Sequence, residues 1–175
     1  VFSSCYSPTA LRGVVAAVEG RECVTIQERD GSGRLSEPRP AVDVYMQWAG
    51  QELARGLGAP AADEWPALSL DAKRERLEAG NMLALSTTRP LAKVEDVSED
   101  VDDVATAETR APTKRTPFYT LMHPSGVTKR GGIELFATPA VGDELVCMRG
   151  TRADLCEEFT SVVGHGSGAR GALAI

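Results

Sequence analysis

Close cysteine pairs, long apolar runs and a surplus of positive charge are all missing from this chain. Cys5, Cys23, Cys147 and Cys156 are widely scattered, and the two histidines are His123 and His165. Structural zinc sites draw their ligands in pairs such as C-x2–4-C, because one tight turn can present both sulfurs. With no such pair, no metal site is expected. A disulfide framework is dense and belongs to short secreted chains, so four dispersed thiols read as reduced. That places the protein in the cytoplasm or another reducing compartment.

No apolar run reaches the roughly 18 residues of a membrane helix, so no membrane partner is expected. Residues 1–10 show neither a positive flank nor an apolar segment, so no secretory signal is expected. The chain begins with Val; an alternative start codon, a cloning boundary and excision from a precursor are equal explanations. The net charge of −6 argues against a dedicated nucleic-acid protein, since phosphate binding rests on clustered Lys and Arg. Aromatics are sparse at 5%. A core of Val, Leu and Ala is therefore expected, with Phe2, Phe118, Phe136 and Phe159 as its large anchors.

Hydrophobic content of 42% in 175 residues is enough to complete a core without metal or disulfide, and no cofactor is expected. The pattern predicts an α+β fold: an N-terminal β-hairpin and two helices, a charged linker, and a C-terminal antiparallel β meander with a final helix. The corresponding regions are 1–94, 95–117 and 118–163, the last possibly sharing a domain with the first, followed by a flexible Gly-rich tail over 164–175.

The hairpin is expected from two β-branched runs, 13–18 and 23–28. Pro40 opens the first helix and Gly58 and Pro60 stop it. The second helix, about 69–85, has Ser69 as N-cap, Asp71 in its first turn, and a solvated charged face over 73–78. The linker holds seven acidic residues between Glu95 and Glu108 and no basic one. Val94, Val97, Val101 and Val104 recur at helical spacing there, which suits a helix that folds against a partner. The meander is read from strands over 118–122, 133–138 and 144–148 separated by Gly- and Pro-containing turns. Thr151 caps the final helix, whose apolar face is Leu155, Phe159, Val162 and Val163.

Reactive groups occur without the company that chemistry requires. Residues 166–171 match G-x-G-x-x-G, but four residues remain after them, too few for the helix that would meet a pyrophosphate. The acidic block lacks the central Gly and the terminal Glu of an EF-hand loop. A hydrolase with an unmarked dyad is the alternative reading, with His123, Cys147, Cys156 and Lys129 as its catalytic candidates; Lys114 is a further lysine for a Ser–Lys pair. Neither a G-x-S-x-G nor a cysteine-protease signature accompanies them.

From Arg110 to Arg152 there are seven basic residues against three acidic ones. Arg115, Lys129, Arg130, Arg149 and Arg152 form a candidate anion- or partner-binding set, and phosphate or nucleic-acid backbone binding is a second alternative. Segregated charge steers partners and fixes their orientation. The leading expectation is therefore a non-catalytic structural or interaction protein, an accessory subunit or assembly component with a protein partner or a second copy of itself.

Overall fold

The structure is a computed structural model that describes residues 6–56, 65, 67–79, 82–96 and 117–150. Its described part is mostly β, built on one antiparallel sheet. Strands β1 (Ser7–Glu19) and β2 (Glu22–Arg29) form a hairpin whose turn places Gly20 at a φ of 61°. Only glycine enters that left-handed region without a Cβ penalty. Their pairing runs from Glu19↔Glu22 to Arg12↔Arg29, with bulges around Ala17. Val15, Cys23 and Ile26 point inward.

The two-residue strand β3 (Arg39–Pro40) leads into helix α1 (Ala41–Gly56). Pro40 has no N–H to lose at a helix start, and Asp43 lies in the first turn, where the dipole favours a carboxylate. The Val42 amide donates to the Gly131 carbonyl at 3.1 Å. Ala41, Val42, Val44, Tyr45, Met46, Trp48 and Ala49 are all buried, so over 41–49 the helix turns most of its surface to the core and leaves Gln47 exposed. Gly13 makes that possible. A Cβ there would come within 2.7 Å of the Gln27 carbonyl oxygen and 3.1 Å of the Trp48 ring. The Trp48 indole donates to Glu28 at 2.9 Å, and Arg39 holds the other oxygen of that carboxylate at 2.6 Å.

Helix α2 (Leu70–Ala79) starts at Ser69, whose hydroxyl accepts from the Ala72 amide. Lys73 is 6% exposed and reaches back to Asp43 of α1 at 2.6 Å. The expected solvated face therefore contributes an inward charge. Where one helix over 69–85 is expected, the described residues form α2 and a short α3 (Met82–Ser86). No described helix is long and apolar enough to cross a membrane.

Five strands follow: β4 (Leu91–Asp96), β5 (Pro117–Met122), β6 (Pro124–Val127), β7 (Ile133–Leu135) and β8 (Glu144–Arg149). The sheet order is β5-β4-β8-β1-β2-β7-β6, with β3 also on β2. The two end strands, β5 and β6, are consecutive in the chain with His123 alone between them. The sheet therefore curls back on itself into a nearly closed barrel. Along β4 and β8 alternate residues face opposite ways, as the period of two requires. Leu91, Leu145 and Cys147 join the main core, while Ala92, Val146 and Met148 join a second cluster with Tyr6, Tyr119 and Leu121.

This architecture corrects the α+β expectation. The meander is absent as such: β5 pairs with β4, β7 with β2 and β6, and β8 with β1 and β4, so none of the three expected meander strands pairs with another. Local turn residues mark where strands stop, but pairing partners are chosen by burial across the whole chain. Glu95 and Asp96, expected to open the linker, complete β4 opposite Phe118 and Pro117. The aromatic anchors are corrected too. Phe118 and Phe136 are 55% and 56% exposed, and the large core side chains are Tyr45, Trp48 and Ile26. The final helix, the valine series over 97–104 and the Gly-rich tail lie outside the described residues.

Candidate functional site

His123 is the described group with the least ordinary surroundings. It sits where the chain turns from β5 into β6, and its carbonyl oxygen accepts the Phe136 amide at 3.2 Å. Its ring is half-buried and meets Tyr6 edge-on, with centroids 6.1 Å apart at 69°. The Tyr6 hydroxyl turns away and donates to the Thr87 carbonyl at 2.7 Å. Nδ1 is buried and has no hydrogen-bond partner among the described residues. Burial lowers the pKa of this imidazole, because a charged ring would lose its hydration there.

A general base needs a hydrogen-bonded nucleophile or an orienting carboxylate. Among the described residues no hydrogen bond joins the His123 ring to a thiol, hydroxyl or carboxylate. Cys147 is wholly buried on the core side of β8, its Sγ directed at the Met148 carbonyl oxygen at 3.7 Å. Cys23 is equally buried. Its thiol is pushed up to about 12 by burial first, and then by the negative charge of Glu22 and Asp143. A thiol so shifted is not a nucleophile at neutral pH. The nearby serines are structural: Ser86 donates to the Leu83 and Pro124 carbonyls, and Ser125 to the Glu134 carbonyl. Among the described residues, no group of three His, Cys, Asp or Glu side chains is arranged to hold a metal. Cys156, Lys114 and His165 lie outside the described residues.

The basic candidates are dispersed. Lys129 and Arg130 occupy the turn after β6, where Arg130 is paired with Glu19 at the far end of β1. Arg149 lies on β8 in register with Ser7, at the opposite end of β1. Twelve residues of strand separate the two ends, a path of roughly 40 Å at about 3.3 Å per residue. Arg115 and Arg152 lie outside the described residues. Arg149 thus lies far from Lys129 and Arg130, and these three candidates do not share one site.

The sequence reading missed the significance of the exposed apolar groups. Phe118, Phe136 and Val141 stand 55%, 56% and 63% exposed. Phe118 is on β5, and Phe136 lies directly beside the β5–β6 joint. Composition marks phenylalanine as apolar, and nothing local to either residue marks it as outward-facing. The class the geometry defines is a nearly closed antiparallel barrel with a helix in its core and exposed aromatics near one strand edge. No protein family, curated protein or solved structure matches the chain.

Proposed function

We propose that this protein is a non-catalytic interaction module, an accessory or assembly component that works by contact with protein. The observation that carries the reading is a contrast within one small molecule. Its described thiols are buried, while Phe118 and Phe136 stand more than half exposed. Aromatic side chains are enriched at interfaces because they bury large area with few rotatable bonds. The ion pairs of the barrel surface, Lys93–Asp143 and Arg12–Glu144, suit the polar rim of such a contact.

Two measurements on the full chain test this. Native-state alkylation with iodoacetamide, mapped by mass spectrometry, should modify Cys23 and Cys147 only as fast as the protein unfolds. A photo-crosslinking residue at position 136 should capture a protein, and the same residue at Leu83, on α3, should not. A thiol that alkylates faster than free glutathione at neutral pH, or labelling by a serine-directed fluorophosphonate, would replace this reading with the hydrolase.

A further inference from the structure

At its far end β2 folds into a small hairpin of its own. Asp30 accepts the Ser32 amide, the Arg34 amide and the Ser32 hydroxyl at 2.8, 2.9 and 2.6 Å. Gly33 takes a φ of 86°, and the chain returns to set Leu35 opposite Arg29. The hairpin frames an open cavity of about 530 Å³, lined entirely by described residues between Glu28 and Glu37. That volume falls in the range of small-ligand sites, roughly 300–1,000 Å³.

The charges around this cavity are unevenly matched. Arg12 faces Arg29 in the β1–β2 register, and like charges directly opposite each other repel. Glu144 relieves Arg12 at 3.2 Å. Nothing equivalent relieves Arg29 among the described residues. One of its Nη atoms donates to the Gly33 carbonyl at 2.9 Å, and its Nε is buried without a hydrogen-bond partner there. Arg34 lines the same cavity, is exposed, and forms no ion pair among the described residues. Two of the three carboxylates lining the cavity are already engaged. Glu28 is held by Trp48 and Arg39, and Asp30 by the turn it organises. Glu37 alone remains, so two guanidiniums stand against one carboxylate.

We infer that this cavity binds a carboxylate, held by Arg29 and Arg34. One further negative charge balances the groups left unengaged, which suits a monoanion better than a doubly charged phosphate. A guanidinium meets a carboxylate through two parallel N–H···O bonds, shorter and stronger than neutral ones. The receiving groups are set in advance, because the Gly33 carbonyl holds the Arg29 guanidinium and Asp30 fixes the turn that carries Arg34. A free small acid and the acidic side chain of a protein present the same group to such a site. The inference goes beyond the interaction reading and does not depend on it, since Phe118 and Phe136 take no part in lining this cavity.

Nuclear magnetic resonance of the arginine Nε–H groups in the full, isotope-labelled chain tests this. Sodium acetate replaces sodium chloride at constant ionic strength, at mildly acid pH where these protons exchange slowly and acetate stays ionised. The Arg29 and Arg34 signals should move together along one saturating curve, half complete at roughly 10 mM. Arg130, already paired with Glu19 at the other end of β1, should stay still. Arg34→Gln, at an exposed position, should weaken the acetate response of Arg29 by about tenfold, and Arg130→Gln should leave it unchanged. Glu37→Gln, which removes the one competing carboxylate, should strengthen it. A blocked Ala-Asp-Ala peptide separates the sources: it shifts the same signals if the site admits a protein side chain, and leaves them still if only a free acid enters. An Arg29 signal that acetate does not move, or moves equally in Arg34→Gln, would overturn the inference. Phosphate acting where acetate is silent would overturn the carboxylate assignment.

Discussion

At the scale of the single residue, His123 shows how position converts an ordinary side chain into a pH-sensitive one. Its Nδ1 is buried with no hydrogen-bond partner among the described residues, and the ring packs edge-on against Tyr6. Folding therefore disfavours the imidazolium, and the folded pKa lies below the ordinary value of 6.5. The unfolded chain binds the proton more tightly. Stability from this group is fully present above 6.5, falls as the pH drops below it, and levels off below the folded pKa. The urea midpoint should accordingly decline between about pH 7 and pH 5, and His123→Gln should flatten that slope. An identical slope in the variant would show that another group causes it. The sequence reads His123 as an accessible base; that its Nδ1 has no partner among the described residues is visible only in three dimensions. Phe118 and Phe136 make the same point, since their apolarity is plain in the chain and their exposure is not.

Among the elements, α1 was the most legible, because Pro40, Asp43 and a dense apolar run all point to a helix start there. Its depth in the core was not legible. That depends on Gly13, nearly thirty residues earlier, leaving space for the Trp48 ring. Helix α2 carries the complementary lesson. Residues 73–78 look like a solvated charged face, yet Lys73 turns inward because Asp43 waits on α1. Removing one member of a buried ion pair strands the other charge. Asp43→Ala should cost on the order of 3 kcal/mol in urea unfolding, the low end because the Asp43 side chain remains 25% exposed. The double variant Asp43→Leu/Lys73→Met should recover most of that loss. A single variant as stable as the wild type would mean the pair contributes nothing.

For the whole molecule, the barrel joins segments that are remote in the chain. Ser7 pairs with Arg149, Leu91 with Cys147, and Glu22 with Glu134. Such contacts close large loops before they are rewarded, so folding should be slow for a chain of this size. Stopped-flow refolding followed by Trp48 and Trp65 fluorescence should fall in the range of about milliseconds to seconds. A microsecond phase carrying the full amplitude would contradict the non-local topology. The same remoteness explains why the composition suggests a meander that the sheet does not contain. The strands over 118–122 and 144–148 announce themselves by composition and turns, but β4 inserts between them, and β1 takes the other side of β8.

The chain by itself determined the local grammar: where apolar runs alternate, where Pro and Gly interrupt them, and which groups carry charge or can react. Those are properties of neighbouring residues, and short-range sterics and solvation are enough to read them. Tertiary structure alone decided which strands pair, and that Lys73 and Cys147 are buried while Phe118 is exposed. Each of these follows from which segments compete to bury one another, and that competition is settled only when the entire sheet has closed.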